Sequence, residues 1–168
     1  GVVPAGIRQQ LAARGVLGVD VLPFTRDAAG FLPSERWRRD AVAMPSTHDL
    51  PPLAGWLRGR DLRWRARLGE IEDLPSALGQ RRLDAVALSD LIHGDCVEDD
   101  ALSLLARTPS RLALLPLEDA LGLHTQVNLP GTVGGHPNWR RRLPMHWNEA
   151  ALQSRLQRIS AGRDGGQA

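Results

Sequence analysis

Residues 41–56 read AVAMPSTHDLPPLAGW. The apolar run Ala41–Met44 has the length and character of a buried strand, and Pro45 ends it. A hydroxyl, an imidazole and a carboxylate follow side by side at Thr47, His48 and Asp49, before Pro51 and Pro52 delay any return to regular structure. Leu53, Trp56 and Leu57 then take up helical spacing. Strand, polar turn and helix form the unit of a parallel α/β sheet, whose functional side chains stand in the loops after the strands' carboxyl ends. A local explanation is open as well: Ser46, Thr47 and Asp49 are good capping residues for the helix that starts near Leu53.

The same alternation extends in both directions. Pro4, Ile7, Leu11 and Ala12 predict a helix ending near Gly15, and Val16–Leu22 predict a strand buried on both faces and stopped by Pro23. Residues 25–40 read as a loop with one short helix after Ser34. A second helix containing Leu62 follows a break at Gly59. Residues 70–108 read as helical throughout, with Leu83, Val86, Ala87 and Leu91 on one buried face and Leu102, Leu105 and Ala106 on another. Leu112–Leu117 supply a third strand. Residues 124–147 are irregular and glycine-rich, and a last helix carries Leu152, Leu156 and Ile159 behind an Asn148 cap. The tail 161–168 reads as flexible. Three strands are too few to close a barrel, so the chain reads as part of a larger α/β unit.

Composition narrows the class. The 168 residues are 42% hydrophobic and 24% charged, which is globular. All 21 basic residues are arginine, and the net charge is only +2. The single cysteine, Cys96, excludes an internal disulfide and suits a reducing, cytoplasmic setting. No apolar run reaches the roughly 18 residues of a membrane span, and no signal peptide opens the chain.

Other motifs carry less. Asn128, Thr132, Asn138 and Trp139, in VNLPGT and NWRRR, join amide and hydroxyl groups to an indole platform, the chemistry that sugar binding needs; ordinary turn residues explain the same loop. The clusters ERWRRD, RWRAR and NWRRR place Trp37, Trp64 and Trp139 among arginines, but interleaved acids and the low net charge argue against nucleic acid. His93, Asp95 and Cys96 in HGDC lack a second ligand pair, so no metal is expected. Neither a P-loop nor a Gly-x-Ser-x-Gly elbow is present.

THDLPPLAGW followed far downstream by VNLPGT and NWRRRL resembles the 4-α-glucanotransferases called amylomaltases or disproportionating enzymes (glycoside hydrolase family seventy-seven). The opening GVVPAGIRQQLAARGV is similar to the stretch that follows their Glu-Asp-Leu-Gly motif, and order and spacing agree over residues 1–158. The Thr-His-Asp turn is shared with the wider α-amylase clan; the NLPGT and NWRR signature is far more particular.

The resemblance implies that residues 1–160 are the C-terminal part of a (β/α)₈ barrel with a helical insertion at about 70–108. It implies retaining transfer of α-1,4-glucan segments between maltooligosaccharides, without cofactor or metal. In that family an aspartate after the fourth strand is the nucleophile, and the glutamate of the motif after the fifth is the acid/base. Asp49, after the seventh strand, corresponds to the third carboxylate, which stabilises the transition state. His48 and Thr47 are implied substrate ligands, with Asn128, Asn138 and Trp139 at the glucan cleft. Gly1 aligns with the motif's glycine, so both other carboxylates would precede it and the chain alone is expected to be inactive. The residues Asp49-Leu50-Pro51-Pro52 stand where some relatives have Asp-Asn. The alternative reading is a non-catalytic glucan-binding module.

Overall fold

The computed structural model describes residues 4–92, 94 and 96–164. Its centre is a parallel sheet of β1 (Gly18–Val21), β4 (Ala41–Met44) and β5 (Leu112–Ala113), with β4 in the middle. The register pairs Gly18 with Ala41 and Val21 with Met44, then Val42 with Leu112 and Ala43 with Ala113. Between β1 and β4 the chain makes a short antiparallel hairpin, β2 (Arg26–Asp27) with β3 (Gly30–Phe31), and a 3₁₀ turn at Ser34–Arg36. The α-helix α1 (Ile7–Ala12) precedes the sheet.

Among the described residues, the crossover from β4 to β5 holds four helices: α2 (Leu53–Leu57), α3 (Arg60–Arg67), α4 (Leu74–Ile92) and α5 (Val97–Ala106). The short α6 (Leu117–Ala120) follows β5, and α7 (Glu149–Asp164) closes the fold against α5. Asn148 caps α7 as its sequence predicts: its Oδ1 accepts the Ala151 amide at 3.0 Å. Gly59 makes the break between α2 and α3 at φ 61°, where a side chain would be strained and would also meet Leu78. Ala43, Trp37, Phe31, Trp56, Leu88 and Leu105 belong to one core between the sheet and these helices.

Four expectations need correction. Strand β1 is not buried on both faces: Val19 is 55% exposed, because its side chain lines the open cleft described below. The third strand is only Leu112–Ala113, and Leu117 instead opens α6 behind Pro116, a residue preset for helix initiation. In α4 the buried face is not Leu83, Val86 and Ala87: Leu83 and Val86 are exposed and Leu88 is fully buried. The true inner face includes Arg81, whose guanidinium grips Asp61 through two bonds of 2.9 Å, caps the Trp56 carbonyl and lies over the Trp56 ring. A charged residue on the inner face rotates the apparent apolar stripe. Finally, α7 continues to Asp164, into the expected tail, with Gly162 packed on Ala106 and Arg163 bonded to the carbonyls of Thr108, Ser110 and Arg111.

Candidate active site

A cleft of about 820 Å³ opens at the carboxyl ends of the three parallel strands. Ser46, Thr47 and His48 line it from the end of β4, Leu114 to Pro116 and Glu118 from the end of β5, and Val127, Trp139 and Arg141 from the loop before α7. Open parallel sheets place ligand sites at this end.

The turn after β4 has a distinct burial profile. Pro45 and Ser46 are buried, Thr47 is half-buried, His48 and Asp49 are exposed, and Pro51 to Leu53 are buried again. Leu50 N–H closes the turn on the Thr47 carbonyl at 3.0 Å, and the Asp49 amide donates to Thr47 Oγ1 at 3.3 Å. Both roots of the turn meet one side chain. Asp119 of α6 accepts the Ser46 hydroxyl on Oδ2 and the Leu53 amide on Oδ1, the latter at 2.6 Å. Burial raises the Asp119 pKa to about 6 against the pull of both hydrogen bonds. Behind the turn, Gly55 permits close packing: a Cβ there would sit 2.3 Å from the His124 carbonyl oxygen.

The loop 126–141 forms the facing wall. Asn128 Nδ2 donates to Asp49 Oδ1 at 2.7 Å, and Gln126 Nε2 donates to the Asp49 carbonyl at 2.9 Å. His48 Nε2 stands 3.5 Å from Asp49 Oδ1, and the His48 and Trp139 rings lie 5.6 Å apart, tilted by 39°. The site thus joins a carboxylate with one oxygen engaged, an imidazole and an indole.

Asn138 is placed differently from a ligand. Its Oδ1 accepts the Leu129 amide at 2.9 Å and meets His136 Nδ1 at 2.6 Å, while Nδ2 donates to the Thr132 carbonyl and hydroxyl. Every polar valence of the amide is spent inside the loop. Because that oxygen accepts, His136 Nδ1 carries the proton. Thr132 likewise donates its hydroxyl to the Leu129 carbonyl. The next residue, Trp139, has φ 59°, a left-handed conformation rare for a bulky side chain, and its amide donates to the Val127 carbonyl at 2.9 Å.

Of the six residues singled out, Thr47, His48 and Trp139 line the cleft, Asp49 and Asn128 are hydrogen-bonded to each other beside His48 without lining it, and Asn138 braces the loop. Sequence reasoning missed Gln126, His136 and Arg141; Glu118 and Asp119, which follow LLPL, fit the loop after the last strand rather than a catalytic pair, and nothing in the sequence tied Asp119 to the turn. Trp64 of RWRAR packs edge-on against the His136 ring, 4.8 Å between centroids, behind the loop and not in the cleft lining. Trp37 is buried with its indole N–H on the Leu32 carbonyl, so it offers no stacking face. His93 and Asp95 of HGDC lie outside the described residues. Among the described residues no group of three or more His, Cys, Asp or Glu side chains could hold a metal, and no helix is long and apolar enough to cross a membrane.

Parallel strands, helical crossovers and a largely apolar cleft with a few polar groups at the strands' carboxyl ends define an enzyme-like α/β architecture. Residues 1–147 match the glycoside hydrolase family 77 profile, described as 4-alpha-glucanotransferase, and the chain belongs to that family. It is 38% identical over 159 residues to the 4-alpha-glucanotransferase of Mycobacterium tuberculosis (strain H37Rv), covering 83% of this chain and 22% of that protein. To the 4-alpha-glucanotransferase of Haemophilus influenzae it is 30% identical over 188 residues, covering 98% of this chain and 27% of the relative. Among solved structures, the amylomaltase of Corynebacterium glutamicum superposes with a TM-score of 0.74 at 25% identity, over 97% of this chain and 27% of that one. The amylomaltase of Streptococcus agalactiae in complex with acarbose shares the fold, with a TM-score of 0.63 at 19% identity over 96% of this chain and 29% of that one. The chain thus spans about a quarter of the length of these relatives.

Proposed function

We propose that these residues form a glucan-binding and transition-state-stabilising part of a cytoplasmic 4-α-glucanotransferase. Its reaction is retaining transfer of α-1,4-glucan segments between maltooligosaccharides. In this reading β1, β4 and β5 are the last strands of a (β/α)₈ barrel, and residues 70–108 are a helical insertion in the final crossover. The observation that carries the proposal is the hydrogen-bonded Asp49 carboxylate beside His48, whose ring meets Trp139 in the lining of the strand-end cleft.

A glycosyl transition state flattens the ring and gathers positive charge, and contacts to the ring hydroxyls strengthen as it forms. Asn128 occupies Asp49 Oδ1, which leaves Oδ2 to accept from two neighbouring sugar hydroxyls. His48 supplies a directed partner at the next hydroxyl, with Thr47 behind it. Trp139 offers an apolar face to the C–H side of a ring. Asn138 positions Trp139 and does not touch glucan. The nucleophile and the acid/base belong to the part of the barrel outside these residues, so the chain alone transfers nothing.

The test is product analysis with maltotriose, using the longest reading frame that contains these residues. Glucose together with maltooligosaccharides longer than the substrate, abolished by Asp49→Asn, supports the proposal. A long form that yields no products sinks it.

A further inference from the structure

Asp119 is 7% exposed and takes no part in the chemistry assigned above. It nevertheless touches both ends of the site turn. Ser46 immediately precedes Thr47-His48-Asp49, and Leu53 is the first residue of α2 beyond it. We propose that Asp119 is a positioning residue for this turn: its ionised carboxylate ties both roots together and so fixes how His48 and Asp49 meet the glucan. The inference rests on the reading of the turn as a glucan site.

Ordinary capping does not account for the arrangement. Helix α2 has Pro52 at its N-cap, which provides no side-chain acceptor, so the cap comes from α6, far along the chain. A neutral amide at the same place could make both bonds without burying charge. Instead the charge is kept where burial pushes its pKa up to about 6. The surrounding charges do little to relieve it. Glu118 raises the pKa further. Arg155 lowers it, but that guanidinium is already bonded to Asp99 at 2.7 Å and to the Ala120 carbonyl. Glu98, which shares a small cavity with Asp119 and Arg155, is paired with Arg58 at 2.7 Å. The carboxylate therefore lowers stability at neutral pH while strengthening two bonds to the turn.

That opposition supplies the test, made on the longest reading frame containing these residues. Asp119→Asn keeps an acceptor for Leu53 and a donor for Ser46 but stays neutral at every pH. At pH 7.5 it should melt at or above the wild type, while KM for maltotriose rises about fivefold to tenfold, the difference between charge-assisted and neutral hydrogen bonds. The KM gap should close as the pH falls below 6, where the wild type itself becomes protonated. Ser46→Ala, which removes one root, should raise KM in the same direction. An Asn variant with unchanged KM at pH 7.5 overturns the inference, as does a KM deficit that persists at pH 5. So does a loss of melting temperature in step with activity, the mark of a merely structural role. Asp49→Asn assayed in parallel separates the two readings. If it leaves transfer intact, the glucan assignment of the turn fails; if it abolishes transfer while Asp119→Asn changes nothing, only the positioning role fails.

Discussion

The two walls of the cleft reach similar chemistry by different physics. The Thr47–Asp49 turn is rooted in the core. Its ends are buried, and an anion from another helix holds them, so only the apex meets solvent. The loop 126–141 is held largely by its own bonds: one amide, Asn138, serves four partners, and Trp139 is 65% exposed in a left-handed conformation. Where they meet, the loop reaches across through Asn128 and Gln126 to the carboxylate and carbonyl of Asp49. A rooted wall suits a group whose placement sets a barrier. A self-tied wall suits a surface that grips the substrate. The comparison therefore expects loss of the charge at the turn's apex to appear in kcat, and looser placement, at the turn's roots or in the loop, to appear in KM.

The largest effect falls on the apex of the turn. Asp49→Asn keeps size and a hydrogen-bonding oxygen but removes the charge that, in the proposed reaction, would face the developing cation. It should lower kcat for maltotriose transfer by about 10²–10³-fold, as losing one preorganised stabilising group does. Because Asp49 is exposed, the melting temperature should barely move. Burst or single-turnover kinetics would show the loss in the chemical step.

The root of the turn is probed by pH. Asp119 has a folded pKa raised from 3.8 to about 6. The sign follows: its stabilising contribution is complete below the unfolded pKa and is lost as the pH rises through about 6. A shift of this size corresponds to about 3 kcal/mol, most of it falling between pH 4.5 and 7. His124, whose pKa burial lowers, acts oppositely as the pH drops below 6.5. The readout is therefore the difference between wild type and Asp119→Asn in denaturant unfolding at pH 4.5 and 7. A difference that does not vary with pH would place the buried charge elsewhere.

How much of this could be read from sequence follows the same division. The turn was legible because AVAM, Pro45 and Pro51-Pro52 punctuate the chain around three polar residues, and local signals suffice for that. The clamp was not, since nothing in "LEDALG" says that Asp119 meets Ser46 and Leu53 across the fold; a contact so distant in sequence leaves no periodic mark. The loop was legible only as a list of sugar-like residues. Asn138 has the right chemistry for a ligand, and only three-dimensional accounting of its hydrogen bonds turns it into a brace. The apolar stripe of α4 was misplaced because Arg81, an inward cation satisfied by Asp61 and Trp56, breaks the rule that charges face outward.

The brace gives the next effect. Asn138→Ala leaves the Leu129 amide and the buried His136 ring without their acceptor. Unpaired groups of this kind cost about 2 kcal/mol. That energy should appear as slackening of the loop, with KM for maltotriose up about 10- to 30-fold and kcat nearly unchanged. A kcat loss matching that of Asp49→Asn would mean that the walls are not independent and that the bond from Asn128 transmits the damage.

The smallest effect separates grip from strain within the loop. Trp139→Ala and Trp139→Gly both remove the indole, so both should raise KM by about tenfold, the scale of a lost ring-stacking contact. They differ at the backbone. Alanine must still hold φ 59°, at a cost of about 1 kcal/mol, whereas glycine adopts that angle freely. The glycine variant should therefore unfold at higher denaturant concentration than the alanine variant, by about 1 kcal/mol less its greater unfolded-state entropy. Equal stabilities would mean that the loop relaxes out of the left-handed angle once the ring is gone. The Asn138 hydrogen bonds would then hold only the approach to Trp139, and the ring's contact with His48 would be what fixes the angle.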